Sequence, residues 1–137
     1  MSTRSTGNIG EDIACRYLEK RGFVIVSRNY QKKWGELDIV AVENVARETS
    51  GICRPLHFFE VKSITGYWTG FRPEDNVHSL KTRHIRRMIQ TYMCDSGVNT
   101  DGICFGLDTE FYFHVLCVYI NMKTRKARVK WLKNVIL

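Results

Sequence analysis

The chain has 137 residues, the length of one ordinary domain, and its hydrophobic fraction of 44% is typical of a folded globular protein. Lys and Arg number 21 against 14 Asp and Glu, and the resulting charge of +7 favours polyanionic partners, nucleic acid above all. No apolar run approaches the roughly 20 residues of a membrane-spanning helix, so no membrane partner is expected.

The five cysteines show neither paired spacing nor a metal-binding pattern. Their number is odd, no two are arranged as Cys-x-x-Cys, and residues 1–10 contain no apolar signal segment. We therefore expect a reducing cytoplasmic location, no structural zinc, and cysteines that serve as small buried apolar residues. The five are Cys15, Cys53, Cys94, Cys104 and Cys117.

The first predicted element is a helix over residues 7–21, because apolar side chains recur there at helical spacing. Asn8 followed by Glu11 has the spacing of a capping box, and Gly22 suits the end of the helix. This reading makes Glu11 a carboxylate near the helix start, where the helix dipole favours it by about 0.3–1 kcal/mol.

Three predicted strands follow, over residues 23–30, 36–42 and 56–64. In the second strand, Leu37, Ile39 and Ala41 are expected to share one face, with Asp38 on the other. Both faces become apolar toward the end of this strand, so we expect it to lie centrally in a sheet and to be covered on both sides.

The rest of the chain completes a single α/β domain. Its predicted parts are a surface loop insertion at 43–55, an aromatic loop at 65–75, a helix at 76–94, and strands at 112–120 and 127–132. The order of helix, three strands, helix and two strands predicts one mixed sheet flanked by helices.

Charged residues interrupt two strands that otherwise have the pattern of a core. Burying an unpaired carboxylate is costly, so Asp38 and Glu60 must be paired, protonated or bound to a metal. A divalent metal explains both, because carboxylates on adjacent strands converge on one Mg²⁺ that keeps several waters. Lys62 leaves the same strand face as Glu60 and is placed to hold or polarise an attacking water.

Simpler structural explanations remain open for the same residues. Glu60 and Lys62 can form a cross-pair on an exposed strand face, Asp38 can be a strand-end acid near solvent, and Glu11 fits the helix start. Each explanation is adequate singly, but the whole set in this order of elements favours a phosphodiester-hydrolysing site.

The second helix offers candidate phosphate contacts. Lys81 projects from the middle of its apolar face, either toward the site or as a lysine whose stem covers the core. Arg83, Arg86 and Arg87 project from the opposite side, which we interpret as a solvated or phosphate-facing surface.

The aromatic loop and two histidines are further candidates. Trp68, with Tyr67 and Phe71, either stacks on unpaired bases or packs back onto the domain, and packing is the more frequent outcome. His78 and His84 are candidates to approach the site, although a lone histidine is weak support for a role.

Several blocks of residues occur in a fixed order along the chain. They are Gly7-x-x-Gly10-Glu11-x-x-Ala14-x-x-Tyr17-Leu18 with Gly22, Arg28-Asn29-Tyr30, Gly35-Glu36-Leu37-Asp38-Ile39-Val40-Ala41, Phe59-Glu60-Val61-Lys62, Pro73 with Val77 and Lys81, and Trp131 to Ile136. Together these blocks resemble the YraN-like (UPF0102) family. The resemblance covers nearly the whole chain, and its specificity lies in the order of the blocks.

The resemblance implies a restriction-endonuclease-like fold of the PD-(D/E)xK superfamily, similar to archaeal Holliday-junction resolvases. It implies that Asp38 and Glu60 are metal ligands, Lys62 the catalytic lysine, and Glu11 a helix-borne acid near the metal. Glu36 matches a family position without an assigned role.

Three departures from the family pattern stand beside these matches. The loop at 43–55 is longer than usual, and Ser63-Ile64 replaces a frequent Arg after Glu-x-Lys. Tyr112-Phe113-His114 replaces a frequent Arg-Phe-Asp, which weakens any role carried over for that strand.

The sequence therefore predicts a Mg²⁺- or Mn²⁺-dependent endonuclease acting on DNA, branched or single-stranded. The alternatives are a non-catalytic nucleic-acid-binding module of a repair, recombination or uptake machine, and a scaffold whose ion pairs are purely structural. Because a junction-cutting enzyme needs two sites, a homodimer is expected by analogy.

Overall fold

A computed structural model describes residues 3–44, 54–65, 79–95 and 109–136, without the side chains of 3–7 and 79–83. Within these ranges the elements are α1 (Thr3–Lys20), β1 (Phe23–Lys32), β2 (Gly35–Glu43), β3 (Leu56–Thr65), α2 (Ser79–Cys94), β4 (Phe111–Asn121) and β5 (Lys126–Leu132). This order confirms the predicted α/β domain. Most of the predicted loops at 43–55 and 65–75, and the predicted helix start at 76–78, lie outside the described residues.

The five described strands form one mixed sheet in the order β1-β2-β3-β4-β5. β3 and β4 are parallel, and every other neighbouring pair is antiparallel. β2 lies inside the sheet, and Ile39 to Val42 are fully buried. The prediction of a central strand covered on both faces is therefore confirmed.

Each face of the sheet carries a hydrophobic cluster beneath one helix. Ala14, Cys15 and Leu18 of α1 pack into a cluster with Phe59 of β3. Ile85, Met88, Ile89 and Tyr92 of α2 pack into the other, against Val40 and Phe58. Both helices follow from the helical spacing of these apolar residues. Cys15 and Cys117 are buried as expected, but Cys94 is exposed at the end of α2, so the prediction of burial is wrong for that residue.

α1 begins four residues earlier than the sequence predicts. It starts at Thr3, so Asn8 lies inside the helix and the predicted capping box is wrong. No proline or glycine between Thr3 and Thr6 prevents the helix from extending toward the N-terminus. Glu11 therefore lies in the middle of α1, where the helix dipole does not explain a carboxylate.

The alternation of side chains along β2 is broken at Asp38. Leu37 belongs to the cluster beneath α2, together with Val40, whereas Ile39 belongs to the cluster beneath α1. The prediction that Leu37 and Ile39 share a face is therefore wrong. The β2–β3 ladder ends at Ile39, so regular pairing with β3 does not constrain the residues before it.

Gly10 permits α1 to lie directly against β3. A Cβ atom placed on Gly10 would overlap Ser63 Oγ and lie 2.9 Å from Ser63 Cβ. Gly35 has a milder version of this constraint, because its Cβ would lie 3.0 Å from Met88 Cγ of α2. These two close approaches bring both helices to the end of the sheet that carries Asp38 and Glu60.

The first prediction concerns the contact between Gly10 and Ser63. Gly10→Ala is expected to lower the free energy of unfolding by about 1–3 kcal/mol, because the added methyl group overpacks a closed contact. Ser63→Ala combined with Gly10→Ala should recover part of this loss, since it removes the nearest obstructing atom. Urea denaturation of the two single variants and the double variant measures the coupling. Additive effects would contradict a direct contact.

The described helices do not have the length and apolar character needed to cross a bilayer.

Candidate active site

A cleft of about 470 Å³ opens at the end of the sheet where β3 finishes. Its walls come from α1, β2, β3 and α2. The lining includes Glu11, Asp38, Glu60 and Lys62, which are the four residues predicted to be catalytic. Glu11 and Glu60 are 49 positions apart in the chain, and the packing of α1 on β3 brings them to one cavity.

The cleft begins where β2 and β3 separate. Their ladder pairs Ile39 with Phe59, and the next pair in register, Asp38 with Glu60, is missing from the described ladder. The Val61 N–H donates instead to Asp38 Oδ2 at 2.8 Å. A side chain thus replaces a backbone carbonyl at this point, which fixes the Asp38 carboxylate in the opening between the strands.

The Asp38 carboxyl is difficult to ionise in this position. Burial, together with the neighbouring Glu11, Glu36 and Glu60, raises its pKa from the ordinary 3.8 to about 7, against the lowering effect of the Val61 hydrogen bond. Three acidic neighbours and little solvent make the negative charge costly. A bound cation would remove that cost, as would a proton.

Glu60 and Lys62 form an ion pair in the wall of the cleft. Lys62 Nζ lies 3.0 Å from Glu60 Oε1, and the two side chains expose 25% and 16% of their surface. Both therefore belong to the cleft and not to an exposed strand face. The pair is also compatible with a structural role, because each charge neutralises the other.

Glu11 faces the cleft from the middle of α1. Its side chain is 15% exposed, and Oε2 is buried without a hydrogen bond from any described residue. Arg28 Nη2 lies 3.6 Å from that oxygen but only 2.9 Å from Asp12 Oδ1. Arg28 was not among the predicted site residues, and its only signal in the sequence was its place in the Arg28-Asn29-Tyr30 block.

These side chains fit a hard divalent ion held by few protein ligands. Among the residues that the structure describes, no three His, Cys, Asp or Glu are gathered closely enough to enclose a metal. Mg²⁺ does not need such a cage, because it retains waters and binds through one or two carboxylates. The costly charge of Asp38 and the buried Glu11 Oε2 are the observations that suit a cation here.

The sequence comparisons agree with the ordered blocks. A model of the Uncharacterised protein family UPF0102 matches residues 10–118. The chain belongs to the UPF0102 family. It is similar to a UPF0102 protein of Desulforamulus reducens, with 32% identity over 97% of this chain and 96% of the relative.

The chain is also similar to two further UPF0102 proteins. A UPF0102 protein of Caldicellulosiruptor saccharolyticus is 29% identical over 98% of both chains. One from Campylobacter concisus is 37% identical over 69% of this chain and 74% of its own. The UPF0102 match covers the segments that carry Glu11, Asp38, Glu60 and Lys62.

Of the other predicted residues of this UPF0102 protein, some line the cleft and others lie outside the described side chains. Glu36 and His84 line the cleft, and Glu36 Oε2 accepts a hydrogen bond from Gln31 Nε2 at 3.2 Å. Lys81 and Arg83 lie in the first turns of α2, but their side chains are outside the described ones, as are Trp68 and His78 entirely.

Arg86 and Arg87 are exposed on α2, on the side predicted from the sequence. The Arg87 guanidinium lies 4.8 Å from the ring centre of Trp34, so one of the two is held by a cation–π contact. The predicted role of either arginine in binding nucleic acid stays a prediction.

A buried histidine pair lies at the opposite end of β3, and sequence reasoning missed it. His57 Nδ1 and His114 Nε2 are 2.9 Å apart, and the Asn134 N–H donates to His114 Nδ1 at 3.0 Å. His114 Nδ1 is therefore an acceptor, so neutral His114 carries its proton on Nε2 and donates to His57. The remaining proton of His57 is then on Nε2, which lies 3.9 Å from Glu43 Oε1.

Proposed function

We propose that this UPF0102 protein is a Mg²⁺- or Mn²⁺-dependent endonuclease that hydrolyses phosphodiester bonds of DNA, with branched or single-stranded DNA as the expected substrate. The observation that carries the proposal is the convergence of Glu11, Asp38, Glu60 and Lys62 on one cleft, where β2 and β3 separate. The positive charge of the chain supports a polyanionic substrate.

Each residue has a role in the proposed reaction. Asp38 and Glu60 would hold the ion from adjacent strands, with Glu11 approaching from α1. The bound ion supplies Lewis-acid stabilisation of the charge that develops on the phosphate. Lys62 orients the attacking water and adds positive charge beside the reacting phosphate. The Val61 N–H holds Asp38, and Arg28 restrains Glu11.

The second prediction tests the proposal directly. Purified protein with Mg²⁺ or Mn²⁺ should cleave at least one of a panel of junction, flap and single-stranded DNAs. Asp38→Asn, Glu60→Gln and Lys62→Met should each lower the rate at least a hundredfold, because each removes a charge that acts at the reacting phosphate. The rate is followed as product accumulation on denaturing gels.

Glu11→Gln has a matched control in the adjacent Asp12→Asn. Both acids pair with Arg28, but Asp12 is exposed and Glu11 faces the cleft. Glu11→Gln should reduce cleavage, and Asp12→Asn should leave it within about twofold of the parent chain. Cleavage that persists in Asp38→Asn would contradict the assigned site. Equal loss of cleavage in Glu11→Gln and Asp12→Asn would contradict a separate role for Glu11.

A non-catalytic DNA-binding module is the second candidate. The observation that favours it is the close Glu60–Lys62 ion pair, in which each charge offsets the other without a metal. It differs in its expected result: DNA binding that weakens with salt, no cleavage with either metal, and no change in thermal stability when Mn²⁺ is added.

A further inference from the structure

The excess of positive over negative charge lies mostly in the last 27 residues of the chain. Six Lys and Arg and no Asp or Glu lie between Phe111 and Leu137, so this fifth of the sequence supplies nearly the whole excess of +7. All six are exposed, and they are Lys123, Arg125, Lys126, Arg128, Lys130 and Lys133. They lie in the turn after β4, on β5, and directly after β5.

The strand register places part of this charge beside the cleft. Lys62 of β3 pairs with Cys117 of β4, and Cys117 pairs with Lys130 of β5. Two interstrand spacings separate the backbones of Lys62 and Lys130, which is about 10 Å. The hairpin formed by β4 and β5 therefore ends at the same end of the sheet as the cleft.

Three of the cations also share the sheet face of Lys62. Directly paired residues point to the same side, and Cys117, between Lys62 and Lys130, belongs to the cluster beneath α2. Alternate residues of β5 point the other way, because Val129 and Trp131 pack on the cluster beneath α1. Lys126, Arg128 and Lys130 therefore form one row on the face of Lys62.

The row is exposed on the outermost strand of the described sheet and partly fixed in place. β5 pairs with β4 on one side and forms one end of the strand order. The Arg128 guanidinium lies 5.4 Å from the ring centre of Tyr119, a cation–π contact that orients the side chain over β4. Residues two apart in a strand are separated by about 6.7 Å, so three cations span about 13 Å.

We propose that Lys126, Arg128 and Lys130 bind the phosphate backbone of duplex DNA that flanks the bond positioned in the cleft. The inference deepens the proposed function, on which it rests for the identity of the polyanion. Phosphates of one DNA strand are spaced about 3.4 Å along the axis, so a 13 Å row reaches about four of them. Contacts of this kind position DNA without selecting its sequence.

The test compares two charge-matched double variants. Arg128→Gln/Lys130→Gln removes two charges from the row, and Lys20→Gln/Arg21→Gln removes two exposed charges from the end of α1. Lys20 and Arg21 lie at the opposite end of the sheet from the cleft. The adjacent Gly22 O accepts a hydrogen bond from the N–H of Asn44, which directly follows the C-terminal end of β2. Binding of a fluorescent 30-base-pair duplex is measured by anisotropy without divalent metal, between 50 and 200 mM KCl.

The row variant should raise Kd about tenfold or more at 100 mM KCl and lower the slope of log K against log salt by about 2. The control should stay within about threefold with an unchanged slope. Equal weakening in both variants would overturn the proposal in favour of a general charge effect. Unchanged binding with increased aggregation would overturn it in favour of edge protection by charged residues.

The two proposals fail separately. Metal-dependent cleavage by the parent chain, together with unchanged DNA binding by the row variant, would overturn the proposed role of the row and leave the nuclease proposal intact. Loss of binding in the row variant of a chain that cleaves nothing would support the row and contradict the nuclease. Vesicles with and without phosphatidylglycerol form a third arm, and tighter binding to the anionic vesicles than to the duplex would overturn DNA as the partner.

Discussion

Asp38→Asn is expected to stabilise the metal-free protein at pH 8 by about 2–4 kcal/mol while removing metal-dependent cleavage. The pKa of Asp38 is raised from 3.8 to about 7 by burial and by the acids around it. Each pH unit between the two values corresponds to about 1.4 kcal/mol of cost for the folded anion. Asn removes the charge and keeps an oxygen that accepts the Val61 N–H.

The sign of this effect follows from proton binding. Between pH 3.8 and about 7, the folded protein holds the Asp38 proton that the unfolded chain releases. The contribution of Asp38 to stability therefore falls as pH rises through this window, and the full cost is present above pH 7. Asp38→Asn should thus match the parent near pH 4 and exceed it most at pH 8.

Urea denaturation in EDTA at pH 4 and pH 8 measures the difference, with Asp12→Asn as the exposed control. The control should change stability by less than about 1 kcal/mol, because exposed ion pairs contribute little. A less stable Asp38→Asn at pH 8 would mean that the carboxylate is a structural acceptor and would count against a site built to receive a cation.

His114 is expected to impose the opposite pH dependence. Burial, with smaller contributions from His57 and Lys133, lowers its pKa from 6.5 to about 4. Below pH 6.5 the unfolded chain takes up a proton that folded His114 refuses, so this contribution to stability falls as pH decreases toward 4. The loss reaches about 3 kcal/mol at 1.4 kcal/mol per pH unit, and the lowered pKa of His57 acts in the same direction.

The two groups nearly cancel in the parent chain, so single substitutions should separate them. Asp38→Asn should lose stability steeply between pH 6.5 and 4, because Asp38 then no longer offsets the contribution of the buried histidines. His114→Gln in the parent should give stability that rises as pH falls through the same range, because Asp38 then dominates. Denaturation midpoints at four pH values for the three proteins measure these slopes. Parallel curves would contradict both assignments.

The sequence predicted the elements well because their signals are local. Each strand was located within two residues at either end, since alternating or continuous apolar runs mark them. Asp38, Glu60 and Lys62 could be singled out because charges interrupt those runs. The start of α1 was misplaced because Asn8 and Glu11 have capping-box spacing in a segment that continues as helix.

Features that depend on distant contacts could not be predicted in the same way. Leu37 changes face at the point where the β2–β3 ladder ends, and strand periodicity alone carries no information about where pairing stops. His57 and His114 are 57 residues apart, and their contact exists only because β3 and β4 are parallel neighbours. The restraint of Glu11 by Arg28 likewise requires α1 to pack on β1.

The short ladder between β2 and β3 has a consequence for the motion of the domain. Backbone pairing there extends over Ile39–Ala41, whereas β3 is paired with β4 along its whole length. Segments with few backbone hydrogen bonds open locally at low free-energy cost. The sheet is therefore least rigid at the boundary that Asp38 and Glu60 face from opposite sides. A ligand bound by both would join the two halves of the sheet, so its occupancy and the internal rigidity of the protein would rise together.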